Sequence, residues 1–362
     1  MSARVPFMSL VPGPDAADVR EAIERVVGRG WFILGPEVEA FEAEFAAVSG
    51  ARYAVGVASG TDALALSIRA AGIGPGDEVI TAPLSAAFSA LAIMMAGATP
   101  VFADIDSERL TLDPAAVEAA VTPRTAAILP VHLYGQPADM AALDAVARRH
   151  DLAVIEDACQ AHRATSAGRP IGTFGLAGAF SFYPTKNLGA LGDAGAVITN
   201  DEALAARLRR LRNGGQTDRY HHVEFGVNSR LDELQAAVLR ARLPWLAGWT
   251  ARRRAMAARY RRSLTDAPVA VPPERDPGHV YHLFPIRTSR RDALQAHLTK
   301  RGIGTLVHYP VTIPRQPAFR VLASAPCPVA DHVAAEVCSL PLHAHLADAD
   351  VDYVAAAIQA WG

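Results

Sequence analysis

Lys186 stands in Tyr183-Pro184-Thr185-Lys186-Asn187-Leu188-Gly189, just after the aromatic run Phe180-Ser181-Phe182 and before Gly192-Asp193-Ala194-Gly195. Neither a solvated helix face nor a snorkelling role explains a lysine in a glycine-rich loop beside an apolar strand. Desolvation there favours the neutral amine, which is a nucleophile towards a carbonyl. A second feature is Val154-Ile155-Glu156-Asp157-Ala158-Cys159-Gln160-Ala161-His162, with two acids at the carboxyl end of an apolar run. Ligands of open parallel sheets bind at such ends, and a carboxylate buried there needs a cationic partner. The third is Ala58-Ser59-Gly60-Thr61-Asp62, where a strand passes into a helix. Free amides at the helix start, the positive end of its dipole and the Thr61 hydroxyl suit a phosphate.

Taken singly, these features also fit ordinary structure. Ser, Thr and Asp cap any helix, and His162 on its own reads as a core histidine. Together they offer a phosphate seat, an acid for a ring nitrogen and an amine for an aldehyde. Pyridoxal phosphate uses all three: a carboxylate keeps its ring nitrogen protonated and a lysine holds its aldehyde as a Schiff base. No metal is expected, because Cys159, Cys327 and Cys338 are scattered without a CxxC spacing. They form no disulfide framework either, which fits a reducing compartment.

The elements that must position these groups follow from periodicity. Apolar runs at Tyr53 to Ala58, Glu78 to Ala82, Thr99 to Ala103, Ala126 to Val131, Leu152 to Glu156, Ala179 to Phe182 and Ala196 to Thr199 read as seven strands. Helical spacing between them, at Asp62 to Ala71, Ala86 to Ala96, Pro114 to Ala120 and Met140 to His150, predicts an α/β core with a mostly parallel sheet. A further helix from Asp232 should end near Pro244. Residues 1–245 therefore form the expected large domain and 246–362 a smaller C-terminal α/β domain. The latter is expected to carry an Arg-rich helix, a strand from Val280 to Arg287, and helices at Arg290 to Arg301 and Asp348 to Trp361.

Composition narrows the partners. Lys plus Arg at 35 nearly cancel Asp plus Glu at 37, so no nucleic-acid partner is indicated. The arginine clusters at Arg207 to Arg212 and Arg252 to Arg262 read as solvated helix faces. No run approaches the ~18 apolar residues of a membrane span, and the first residues lack a signal-peptide core. A cytoplasmic protein is expected.

The motifs, in their order, resemble the DegT/DnrJ/EryC1/StrS family of aminotransferases, which act mainly on nucleotide-linked keto-sugars. The likeness includes Phe32-Ile33-Leu34-Gly35-Pro36, Ser59 to Leu64, Ala96 to Asp106, Val131 to Met140, Glu156 to His162 and Phe180 to Ala196. It continues through Gly226 to Leu239, Val307 to Pro310 and Ser339 to His343. The resemblance implies a fold-type I, aspartate-aminotransferase-like enzyme acting as a homodimer with shared active sites. Its implied donor is glutamate or glutamine, and its acceptor a nucleotide-linked keto-sugar. Lys186 matches the Schiff-base lysine, Asp157 the partner of the ring nitrogen and Gln160 the residue near the ring hydroxyl. Gly60, Thr61 and Ser181 match phosphate donors, and Asn228 a residue reaching the phosphate from the neighbouring subunit.

Two departures stand out. Ala86 occupies the place of an aromatic residue that stacks on the cofactor ring, leaving Phe88 as the candidate, and Gly214 replaces a common histidine. Tyr183, Arg230, His308 and Tyr309 are expected near the substrate; Arg219 and Lys300 are further rim candidates that also read as surface charges. Sugar dehydratases and cyclitol or aromatic-ring-forming enzymes of the family are alternatives, but the dehydrating branch typically has histidine in place of the lysine. A regulatory or sugar-binding protein would have no reason to keep all three features.

Overall fold

The computed structural model describes residues 4–11, 13–322 and 325–361. Seven strands form one sheet in the order Tyr53–Val57, Gly195–Thr199, Ala177–Ser181, Ala153–Asp157, Thr125–Leu129, Glu78–Thr81, Thr99–Phe102. Gly195–Thr199 runs antiparallel to both of its neighbours, and every other pairing is parallel. The expected strands are thus present with slightly shifted ends. Helices pack against this sheet, among them Gly60–Ala70, Phe88–Met95 and Met140–His150, while Pro114–Ala120 packs on Met140–His150. Strands covered in this way read as continuous apolar runs rather than alternating ones, which is why they were legible.

Two helices before the first strand, Ala16–Arg29 and Pro36–Ser49, add to the expected elements. The second begins at the Phe32–Pro36 motif. Pro36 suits its first turn, and the carboxylate of Glu233 caps it by accepting from the amides of Gly35, Glu37 and Val38 at 2.8–3.0 Å. Glu233 opens the helix Glu233–Arg242, so one buried acid joins elements far apart in the chain.

A second core gathers Met256, Tyr260, Phe284, Ile286, Leu298, Leu340 and Val354, together with Val5 from the N-terminal segment. Here the expected strand Val280 to Arg287 is shorter: only Phe284–Arg287 pairs, antiparallel with Val337–Leu340. The amides of Val280 and Leu283 bond instead to the carbonyls of Gly135 and Tyr134, and both side chains join the core around the large sheet. The arginine clusters also need correction. Arg212 is buried against Glu42 and the Gly56 carbonyl. Arg253 is buried and donates to the carbonyls of Tyr281, His282 and Leu342.

Candidate active site

Period-two alternation sends neighbouring residues of a strand to opposite faces, and it separates the two acids. Glu156, fully buried, accepts from the amides of Gly172, Phe174 and Gly175 at 2.7–3.1 Å and pairs with His132 Nε2 at 3.1 Å. Because Ala138 N–H donates to His132 Nδ1, the ring carries its proton on Nε2 and donates it to Glu156. That acid is fully engaged inside the fold. Asp157 instead lines a cavity of about 640 Å3. Its two hydrogen bonds come from neutral groups, Ser89 Oγ at 2.7 Å and Cys159 N–H at 3.1 Å. Among the described residues no salt bridge takes Asp157, which leaves its charge for a cationic partner in the cavity.

Ser59 caps the helix Gly60–Ala70, its Oγ accepting from Asp62 N–H at 3.1 Å. The amides of Gly60 and Thr61 lie at the helix start without an intrahelical acceptor, on the cavity wall with Ser181. The packing is close. A Cβ on Gly60 would sit 2.6 Å from Ser181 Cβ and 2.9 Å from Cys159 Sγ, and one on Gly195 2.3 Å from the Ser59 carbonyl. Only glycine lets these four chain segments converge on the seat.

Lys186 follows a tight turn in which its N–H donates to the Tyr183 carbonyl at 2.8 Å. Burial pushes its ammonium below the ordinary lysine range, opposed by Cys159 and Asp157. The next residue anchors the loop: Asn187 Nδ2 donates to the Val280 carbonyl and its Oδ1 faces His282 Nδ1. Lys186 also borders a smaller cavity of about 280 Å3 behind the loop, lined by Arg242, Trp249, Arg253 and His343.

Gln160 accepts from Tyr134 N–H at 2.7 Å and donates to the Tyr309 hydroxyl at 3.3 Å. His308 Nδ1 lies 3.0 Å from Ser339 Oγ. Burial and the Lys186 charge hold the His308 ring down at about 4. Tyr309, pushed up to about 12 mainly by burial, stays a phenol. Phe88 and Tyr183 line the same cavity and are half or more exposed, whereas Ala86 contributes only a methyl. Thus Lys186, Asp157, Gly60, Thr61, Gln160, Ser181, Phe88, Tyr183, His308 and Tyr309 converge. Asn228 and Arg230 do not: Asn228 is exposed and bridges to Asn213, while Arg230 donates to the Asn213 side chain. Arg219 and Lys300 are exposed away from the cavity lining. His162 is a core residue between Phe180 and Phe182. Gly214 and Gly215 both have positive φ, so a side chain at Gly214 would sit on left-handed backbone.

Sequence reasoning missed Ser89, Ser85, Asp193 and His282 in the cavity wall. For Ser89 one signal existed: it is the sole polar residue in the helix Phe88–Met95.

A desolvated amine, an acid lacking a cation and open helix amides in one cavity fit pyridoxal phosphate, and with the sheet they define a pyridoxal-phosphate-dependent aminotransferase. The model of the DegT/DnrJ/EryC1/StrS aminotransferase family matches residues 15–359, and the chain belongs to that family. It is 50% identical over 362 residues to the erythromycin biosynthesis sensory transduction protein EryC1 of Saccharopolyspora erythraea, covering 98% of this chain and 99% of the relative. It is likewise 50% identical over 366 residues to the dTDP-3-amino-3,4,6-trideoxy-alpha-D-glucose transaminase of Streptomyces venezuelae, covering 99% and 96%. A solved structure of S. venezuelae DesV in complex with a ketimine intermediate matches with a TM-score of 0.96 at 50% identity over 99% of both chains.

Proposed function

We propose that this protein moves an amino group from glutamate or glutamine to the keto group of a nucleotide-linked sugar, in amino-sugar biosynthesis. The observation that carries this reading is the meeting of Lys186, Asp157 and the Ser59–Thr61 helix start in one cavity. Gly60, Thr61 and Ser181 would hold the cofactor phosphate, Asp157 its ring nitrogen, Gln160 its hydroxyl side, and Phe88 its ring face in place of Ala86. When bound, pyridoxal phosphate supplies an electron sink for a carbanion. Lys186 Nζ, its charge disfavoured by burial, would be the general base and acid that takes and returns the substrate proton. Tyr183, His308 and Tyr309 are the substrate-side residues.

Relatives' names support the acceptor class. They include a UDP-N-acetyl-3-dehydro-alpha-D-glucosamine 3-aminotransferase and a UDP-2-acetamido-2-deoxy-3-oxo-D-glucuronate aminotransferase. With the dTDP-3-amino sugar transaminase, they share nitrogen chemistry at carbon 3, which we extend to this chain. We read it as a cytoplasmic homodimer in which Asn228 completes the partner's phosphate site, with a large domain over 1–245 and a small one over 246–362. Exposed Trp31, Phe32, Phe88, Met95, Tyr220 and Phe225 support a second copy. Among the described residues no helix is long and apolar enough to cross a membrane.

The test is an absorbance spectrum with pyridoxal phosphate before and after glutamate, on wild type and Lys186→Ala, followed by 2-oxoglutarate with a panel of dTDP- and UDP-3-amino sugars. A glutamate-dependent spectral change lost in the variant, with keto-sugar formed from one panel member, is expected. Spectra identical in the two proteins would remove Lys186 and the reading built on it.

A further inference from the structure

We infer that Ser89 is a positioning residue for the cofactor, acting through the Asp157 carboxylate; this rests on the reading of Asp157 as partner of the ring nitrogen. Asp157 ends its strand, so its backbone alone does not hold the side chain in one rotamer. Two donors do. Cys159 N–H, set by the turn after the strand, takes Oδ1 at 3.1 Å; Ser89 Oγ, 68 residues away in sequence, takes Oδ2 at 2.7 Å. Both are neutral, so they orient the carboxylate without cancelling the charge that the ring nitrogen needs.

The Ser89 bond is built into the fold. Ser89 is 1% exposed and occupies the second position of Phe88–Met95, whose other members are all apolar. Its hydroxyl donates to Asp157. A hydroxyl donating to an ionised acceptor at this distance makes one of the stronger side-chain hydrogen bonds. The same helix turn presents Phe88 to the cavity. One turn thus brings the candidate ring-stacking side chain and the clamp on the ring's ionic partner to the cofactor as a unit, and the clamp transmits any shift of that turn to Asp157.

The experiment compares wild type with Ser89→Ala, Ser89→Thr, Asp157→Asn and the double variant Ser89→Ala/Asp157→Asn. It reads pyridoxal-phosphate affinity by fluorescence titration, the pH midpoint of the bound-cofactor absorbance, kcat and KM for glutamate, and melting of the unloaded protein. Ser89→Ala is expected to weaken cofactor binding roughly tenfold, to move the absorbance midpoint and to lower kcat more than it raises KM. Ser89→Thr, which keeps the hydroxyl, should recover most of this. Adding Ser89→Ala to Asp157→Asn should cost much less than it does alone, because the two act through one contact. Equal cost in both backgrounds, or an alanine variant with altered melting but an unchanged absorbance midpoint, would make Ser89 a packing residue and overturn the inference. If Asp157→Asn itself leaves affinity and absorbance unchanged, the underlying assignment of Asp157 is the one that fails.

Discussion

The cavity and the exposed ribbon beyond its lining are built on opposite principles. Around the cavity, strand ends, a capped helix and one glycine-rich loop hold Asp157, Glu156 and Lys186 through bonds made within the chain. Outside the cavity lining, residues 213–230 include a short ribbon of Gln216–Asp218 against His221–His222, with Tyr220 75% and Phe225 93% exposed. Proton transfer needs groups preorganised to a fraction of an ångström, and buried strand ends provide that. The exposed ribbon presents surface without fixing its own position.

The sharpest break of this contrast is Lys186→Ala. Loss of the positioned base should lower the glutamate half-reaction by about 10²–10⁴-fold in single-turnover absorbance measurements, while the fold, read by circular dichroism, stays intact. Next comes Asp157→Asn beside Glu156→Gln, two changes of one charge at adjacent positions. The first should cost about 10²-fold in kcat with little change in melting. The second should cost about 1–3 kcal/mol of stability in denaturant titration, since its new NH2 faces backbone N–H donors. If both acids moved kinetics alone, the separation of a structural from a chemical carboxylate would collapse.

Beyond the cavity lining a smaller effect is expected. Asn228→Ala should weaken cofactor binding about tenfold, the worth of a hydrogen bond to a charged group. In the proposed dimer with shared sites, mixing it with Lys186→Ala under subunit exchange should restore activity, because each hybrid would hold one site with both residues. No recovery in the mixture would mean that the site is complete within a single chain.

A separate effect is acid destabilisation through four histidines. Burial holds His162 and His279 down at about 3 and His308 and His343 at about 4. As pH falls below about 6.5 the unfolded chain binds these protons first. Stability from these groups is therefore whole above that pH and drains away down to about 4 and 3, at about 1.4 kcal/mol per pH unit for each group. Melting of the unloaded protein at pH 7, 6 and 5 measures this. A flat profile would mean that these histidines are solvated.

Local pattern carried the sequence far. Apolar runs of strand length, helix caps and the order of seat, acid and lysine are all properties of neighbouring residues, so the sheet and the residues around its strand ends could be read directly. The sequence by itself thus determined the family, the lysine and the pair of acids. The family resemblance named Asp157 of the pair, but local pattern alone did not determine which acid faces the cavity. Alternation says only that Glu156 and Asp157 face opposite ways; the loop Gly172–Gly175, arriving from elsewhere to bond Glu156, decides that Asp157 is left to the cavity. The same holds for Ser89 reaching Asp157, for Glu233 capping Pro36–Ser49, and for Val5 entering the C-terminal core. It holds too where Val280 and Leu283 leave their expected strand for the carbonyls at 134 and 135. Each depends on a partner distant in the chain, whose position exists only once the chain has closed on itself.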